Sequence, residues 1–511
     1  MSQQLRDLSI EFLESRYNLS GLTPGIDPAA VTGLSLGSPA VQDQSILNTG
    51  APVGMLKFAG PLPQLFSAKF RNVVLAQVEQ PDNSTTPVVP LNTTPSSPAT
   101  PTTTDPTPAA VTVQHLVSFN ALVIDGNSTT NSIFVSQSGQ TLTVQDPSGS
   151  RSFTGTFGNV VVHAGSSNET ITIDSSVNIT TLLYGGAGND TINAYGTGKA
   201  TIVSIGGGAD ILRGNGVNTS YWADTSDTVN ASAAEISAGR VHTISAFYQP
   251  WTTNTSDPNY ISLQLNGQTL REPSDLTDPV VLSNHSLWGT GPVQTDVNQG
   301  QTADCYYLSD LLSLSQQQPD KLREMAVDLG DGTYAVEFQR NGVQTYVRVD
   351  GELPGSGGGL DMARPGPTGD LWAPIMEKAY SYFRSAANSY NSLNYGWTGT
   401  AFSDLGLINT SIGTTGQTAD QLYNQFSTAL AAGKAITLST NTTIVGNAPL
   451  IASHAYSLYA VTHDSSGNVV FELRNPWGYD GAGNDSNPSD GIVSLTLAQL
   501  QANLPYGSVT V

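Results

Sequence analysis

Between residues 111 and 246, short runs of Val, Ile and Thr alternate with turns of Gly, Asn and Asp, and few folds accept that pattern. Strands this short cannot bury a face alone, so many of them must stack. The stretch Gly185-Gly186-Ala187-Gly188-Asn189-Asp190-Thr191-Ile192-Asn193 puts glycines where the chain turns, an aspartate sixth and an apolar residue eighth. A weaker copy places Gly206, Gly208, Asp210 and Leu212 in the same slots, and a third keeps Asp227 and Val229. The aspartates are 20 (190 to 210) and 17 (210 to 227) residues apart, about one coil of a parallel β-roll or β-helix. The fold class expected for 111–246 is therefore all-β, of β-roll or β-helix type.

This repeat resembles the glycine- and aspartate-rich RTX nonapeptides over two or three coils. The physical logic is that glycine permits the turn while each carboxylate offers oxygen to a hard cation. Asp190 and Asp210 are accordingly candidate calcium ligands, and calcium is the expected cofactor. The plainer alternative is a Gly-rich β-solenoid that binds no metal.

At 511 residues the chain exceeds one core and should divide into two to four domains. Residues 81–110 are dominated by Pro, Thr and Ser and read as an extended linker that follows an N-terminal region, 1–80. A turn-rich connector, 247–287, leads into 288–511, where helical and strand periodicities become denser. Acidic side chains number 41 against 19 basic, a net charge of -22, which argues against nucleic acid or an anionic membrane as partner. No apolar run approaches the ~20 residues of a membrane-spanning helix. The first 22 residues lack a secretory apolar core. Phe12-Leu13-Glu14-Ser15-Arg16-Tyr17-Asn18-Leu19 is similar to the LEPR-XLL sorting motif of bacterial surface proteins. With the Thr, Ser, Asn and Gly excess, it points to a secreted or cell-surface address.

The chain has one cysteine, Cys305. A lone thiol makes no internal disulfide, and its default role is that of a small buried hydrophobe. Its neighbours say otherwise. Asp304 can cap a helix whose stripe is Leu308, Leu311, Leu312 and Leu314, which puts Cys305 in the first turn. There the unpaired N–H groups and helix dipole favour a thiolate. A partner imidazole is available at His454, at the start of an alternating strand-like run, 149 residues downstream (454 minus 305). Asn475 follows His454 by 21 residues (475 minus 454) and is close to Trp477. Order and spacing agree with a Cys-His-Asn arrangement, in which Asn orients the ring and Trp shields that contact.

Four segments together resemble the calpain family of cysteine proteases: Gln299-Gly300 with Asp304-Cys305, Leu371 to Tyr380, Ser453-His454-Ala455-Tyr456-Ser457, and Arg474-Asn475-Pro476-Trp477-Gly478. The resemblance implies an α+β papain-like core of two subdomains over 288–511. It also implies a cysteine endopeptidase acting on protein or peptide substrates through an acyl-enzyme. Cys305 would be the nucleophile, His454 its proton partner and Asn475 the orienting residue. Gln299, with the Cys305 N–H, would be the oxyanion donor, supported by Trp477 and Asp304. Ala303 and Tyr306 depart from the family pattern, which implies altered packing beside the nucleophile.

The resemblance also implies calcium sites in the core. Asp296 matches one ligand position, with Gly289 and Gly291 to supply carbonyls, although the matching acidic position is Asn391. Asp480, Asp485 and Asp490 crowd a second loop; solvated turn aspartates are the alternative there. Two rival functions stand beside the protease. One is a non-catalytic, calcium-stabilised surface or adhesion protein whose core only binds peptide. The other is a transglutaminase-like acyl transferase, against which Asn475 speaks, because that chemistry pairs Cys and His with Asp.

Overall fold

A computed structural model describes residues 111–116, 120–127, 129, 132–248, 270, 272–282, 285–289, 291–357, 359–385, 387–482 and 487–511. The sorting motif, the Pro/Thr/Ser linker, Asp485 and most of the connector lie outside the described residues. None of the helices within them is long and apolar enough to cross a membrane.

The first described region is a β-solenoid. Two seven-stranded sheets form its faces, and most of their strands run parallel because each coil lays one strand in each sheet. Thr180–Tyr184, Ala200–Ser204 and Thr219–Asp224 pair successively in one sheet. Thr170–Ile173, Thr191–Ala194, Ile211–Arg213 and Thr228–Asn230 pair in the other. Side chains alternate in and out of such a stack, and Ile171, Ile192 and Leu212 from one sheet and Leu183, Ile202 and Tyr221 from the other are all 0% exposed. The apolar eighth position thus fills the core.

Close approach explains the glycines between the sheets. A Cβ on Gly188 would lie 2.0 Å from the Ser167 carbonyl oxygen, and one on Gly208 only 1.7 Å from that of Gly188. Coils stacked at strand spacing leave no room for a side chain at these corners. The stack extends beyond the two or three coils that the glycine pattern marks. It reaches back to Ala121–Asp125 and Ser132–Ser138, where hydrophobic alternation persists without the repeat.

The second region, from about residue 270 onward, holds two hydrophobic clusters. One surrounds the helix Cys305–Gln317 and the helix Trp372–Phe383, packed on an antiparallel sheet of Ala326–Asp328, Thr333–Arg340 and Val343–Asp350. The other lies in a six-stranded antiparallel sheet ordered Asn409–Gly413, Tyr506–Thr510, Ile436–Ser439, Ala455–His463, Val469–Arg474, Ile492–Leu495, backed by the helix Ala419–Ala431.

The Cys305 helix joins the two clusters. Residues 306 to 315 are all buried, including two serines one turn apart. Ser309 donates its hydroxyl to the Ala455 carbonyl at 2.8 Å, and Ser313 accepts from the Ile436 N–H at 2.9 Å. Gln316 reaches the Tyr459 carbonyl at 2.8 Å. Ser309, Ser313 and the Gln316 amide nitrogen are tolerated on this buried helix because each finds a backbone partner.

The solenoid and this second region share a fourth core. Tyr184, Val203, Trp222 and Ile244 pack against Val327, Leu329, Ala335 and Tyr346. Beside it lies a buried ionic cluster. Glu324 accepts from Arg240 at 2.7 Å and from the Ser220 hydroxyl at 2.8 Å. His242, stacked on Trp222, bonds Glu337 at 2.6 Å through Nδ1. The connector residues around Glu272 and Asp275 also pack within the second region. Asp275 accepts the N–H groups of Tyr390 and Asn391 at 2.9 and 2.8 Å, so that region begins before the expected boundary at 288.

Candidate active site

Cys305 opens its helix at the first helical position and is partly buried against the helical cluster. His454 immediately precedes the strand Ala455–His463, and the Ser309–Ala455 bond holds that strand end against the first turn after Cys305. Asn475 immediately follows the neighbouring strand, Val469–Arg474. A two-strand pairing therefore brings the imidazole and the amide together at one end of the sheet.

The His454 Nε2–Asn475 Oδ1 distance is 2.8 Å, in an environment where His454 is 6% and Asn475 0% exposed. The Asn475 amide is itself fixed. Its Nδ2 donates to the Asp480 carbonyl at 3.0 Å, and its Oδ1 also accepts the Trp477 N–H at 3.1 Å. With the nitrogen committed to a carbonyl, the oxygen is the atom presented to His454. The Trp477 ring lies 4.9 Å from the imidazole and Tyr456 lies 5.0 Å away, edge-on. Low exposure strengthens the polar contact by excluding competing water.

Gln299 is buried on the opposite side of Cys305 in sequence. Its Nε2 donates to the Thr302 carbonyl at 2.6 Å, and its backbone N–H donates to the Pro476 carbonyl at 2.8 Å. That second bond ties the loop before the cysteine to the Asn475 loop. The same loop is fastened on its other flank. The Ala303 N–H donates to Asn394 Oδ1 at 2.8 Å, and the Ala303 carbonyl accepts from the Tyr395 N–H at 2.9 Å. The structure thus gathers Cys305, His454, Asn475, Gln299 and Trp477 around one helix start.

Asp304 differs from expectation. It occupies the cap position, yet its side chain caps nothing; its backbone carbonyl accepts from Tyr307 and Leu308 while the carboxyl turns inward, 0% exposed. There it faces the carboxyl of Glu377 on the Trp372 helix. Glu377 was not legible as a site residue, because nothing local in its helix marks it as the neighbour of an acid 73 residues away (377 minus 304).

The candidate metal ligands are scattered. Asp296 does not fit calcium: Oδ2 accepts from the Val293 N–H and Trp372 Nε1, each at 2.9 Å, and Oδ1 takes the Thr368 hydroxyl. Gly291 presents its N–H to Asp370 at 2.9 Å and its carbonyl to Arg323 at 2.7 Å. A hard cation needs six to eight oxygens, and this loop supplies N–H groups and a guanidinium instead. Both Asp490 oxygens are used by Ile492 and Asn487 at 2.8 and 3.2 Å, while Asp480 serves Asn475 through its main chain. Among the described residues, Glu272, Asp350 and Glu352 alone form a set of three groups close enough to share an ion. Lys378, 0% exposed, fills it with bonds of 2.6 and 2.7 Å to Glu272 and Asp350.

The solenoid aspartates are different. They form a ladder in which each carboxylate accepts the N–H of the acidic residue one coil back: Glu169 to Asp190 at 2.7 Å, Asp190 to Asp210 at 2.6 Å, Asp210 to Asp227 at 2.9 Å. Asp190 Oδ2 and Glu169 Oε2 are buried and receive no donor from any other described residue, and the two side chains face each other. Burial, aided by the Asp210 and Glu169 carboxylates, pushes Asp190 up to about 8. Two buried carboxylate oxygens without a donor supply part of the oxygen shell that a hard cation takes, and among the described residues the column brings no third carboxylate within reach.

Residues 266–491 match the family "Calpain family cysteine protease". The chain is 27% identical over 253 residues to the calpain-type cysteine protease DEK1 of Zea mays, covering 45% of this chain and 11% of that protein. It is 27% identical over 240 residues to the calpain-2 catalytic subunit of Rattus norvegicus, covering 42% and 32%. Against calpain-8 of Mus musculus it is 27% identical over 244 residues, covering 44% and 34%. The chain thus spans about a tenth to a third of the length of these relatives. Family match and site geometry fall on the same segment, residues 266–491, which is similar to the calpain family of cysteine proteases.

Proposed function

We propose that the chain hydrolyses peptide bonds with Cys305 as nucleophile, and that the 2.8 Å contact of His454 Nε2 with Asn475 Oδ1 beside the Cys305 helix start carries this reading. Asn475 engages Nε2, so Nδ1 is the nitrogen that takes the thiol proton. The helix N-terminus favours the resulting thiolate. Sγ attacks the scissile carbonyl carbon, and its oxygen becomes an oxyanion held by the Cys305 N–H and the second hydrogen of Gln299 Nε2. The C–N bond then breaks as His454 returns its proton to the leaving amine. Water, deprotonated by His454, releases the acid product and regenerates the thiol.

The substrate is an extended protein segment, since the machinery lies between a helical cluster and a sheet end. Calcium, held by Glu169 and Asp190 in the solenoid, would neutralise the ladder and stiffen the coils, and no chemical step passes through it.

The test is cleavage of an unfolded protein by wild type and Cys305→Ala, each with calcium and with a chelator. Wild type should cleave and Cys305→Ala should not. Iodoacetamide should alkylate Cys305 well below pH 8, and His454→Ala should abolish that reactivity. Equal labelling of both proteins with no hydrolysis would leave a peptide-binding core and end the enzyme reading.

A further inference from the structure

Beneath the nucleophile lie two carboxyl groups that the proposed chemistry does not use. Asp304 is 0% and Glu377 1% exposed, and the two carboxyl groups face each other. Both Asp304 oxygens and Glu377 Oε1 are buried with no donor from any other described residue. The remaining oxygen, Glu377 Oε2, accepts the Ala363 N–H at 2.9 Å.

No cation neutralises the pair by contact. Lys378, next in sequence to Glu377, is spent on Glu272, Asp350 and the Glu352 carbonyl at 2.6 to 2.7 Å. Arg384 contributes only at a distance, because its guanidinium is bonded to the Tyr306 hydroxyl and to the Leu393 and Tyr395 carbonyls, the latter two at 2.7 Å. The other groups facing the pair are Cys305, Tyr306 and Tyr307 from the nucleophile helix and Tyr390 from the turn Tyr390–Leu393. Two buried carboxylates in contact cannot both ionise without a large penalty, so one must hold a proton and donate it to the other.

We propose that Asp304 and Glu377 form a single proton-sharing unit that positions the start of the Cys305 helix, and that loss of the shared proton disables the nucleophile. This rests on the hydrolase reading above. With the proton in place, an O–H···O bond joins the Gln299–Cys305 loop to the Trp372 helix. When the proton leaves to solvent, two carboxylates repel each other one residue from the thiolate, and the added negative charge opposes the thiolate as well. Both acids are positioning residues and neither touches substrate.

Burial holds both carboxyls above their ordinary values; contact with Glu377 draws Asp304 partly back down, while the Asp304 charge pushes Glu377 further up. A folded value above the unfolded one contributes stability below the unfolded pKa and loses it as pH rises through the folded value. Activity and stability should therefore both fall on the alkaline side. The two protons belong to the pair rather than to either residue.

The experiment uses the full chain as wild type, Glu377→Gln and Glu377→Ala. It measures iodoacetamide alkylation of Cys305, peptide hydrolysis and melting temperature from pH 5 to 9. The amide introduced by Glu377→Gln donates the same hydrogen bond at every pH. Glu377→Gln should keep its rates within about threefold of wild type at pH 6, move the alkaline fall upward by at least one pH unit, and flatten the melting temperature against pH. Glu377→Ala should lose about tenfold or more at all pH values. Superimposable profiles for wild type and Glu377→Gln would overturn the proposal, as would a folded Glu377→Gln as inactive as Glu377→Ala. If wild type alkylates at Cys305 yet cleaves no peptide, the hydrolase reading fails while the alkylation profiles still decide the pair.

Discussion

The solenoid column and the loop before Cys305 both bury carboxylates, and they serve Asp190 and Asp296 in opposite ways. In the solenoid, each acid is stacked on the next and receives one backbone N–H, which leaves Asp190 Oδ2 and Glu169 Oε2 without a donor from any other described residue. In the protease region, Asp296 is saturated by Val293, Thr368 and Trp372, while Asp350 is paired with Lys378. A periodic backbone offers every coil the same donors, so it repeats the same deficit. An irregular loop can recruit a different donor for each lone pair. The difference assigns any calcium effect to the solenoid and takes it away from the loop that precedes Cys305.

The sharpest way to probe the protease side is to remove one donor with no metal involved. Gln299→Ala should fold and lose on the order of 10²–10³ in turnover, with calcium making no difference to the deficit; kinetics of the purified variant with and without chelator will check this. Asp296→Ala should be the next largest effect. It strands the buried Trp372 Nε1, at a cost of about 1–3 kcal/mol, while Val293 and Thr368 lie at the surface, so urea unfolding should show a loss of about that size that calcium does not restore. A calcium-dependent rescue would break the contrast.

On the solenoid side, Asp190→Asn puts an amide in place of a carboxyl that burial, with a pKa raised to about 8, keeps largely protonated at pH 7. In chelator it should leave stability at pH 7 unchanged or slightly higher, and it should abolish any calcium-induced rise in melting temperature. If calcium stabilises the variant as much as wild type, the ion is not on the ladder. The smallest effect concerns His242. Burial opposes its charge, but Glu324 and Glu337 outweigh that and raise its pKa. Its contribution is complete below the unfolded value of about 6.5 and is lost as pH rises through the folded one. His242→Gln should therefore flatten the stability curve above pH 6.5, by about 1 kcal/mol or less, in thermal melts across pH.

How much of this was legible depends on how local the signal is. Cys305, His454 and Asn475 each stand beside a helix start or strand end that their own neighbours announce, so their placement follows from short segments. The repeat marks the coils at Asp190 and Asp210 for the same reason. It misses the coils before Glu169, where single glycines such as Gly126 and Gly165 still keep the corners but the nonapeptide pattern is gone. Asp304 suits a cap by type and position. Its true partner comes from another helix, and only packing reveals that. The metal expectation at Asp296 could not foresee Trp372 and Thr368 for a similar reason, since hydrogen-bond donors supplied across a fold leave no mark on spacing.

The shared core between the solenoid and the protease region has a practical meaning for anyone who would handle the catalytic part alone. Trp222, Tyr184 and Ile244 cover Val327, Leu329 and Tyr346, and Arg240 neutralises Glu324. A chain cut at residue 266, where the family match begins, would uncover that greasy wall and leave a buried acid without its cation. The solenoid therefore supplies one wall of the core that the second region needs to stay folded. Grafting this protease onto another scaffold means carrying its coils along.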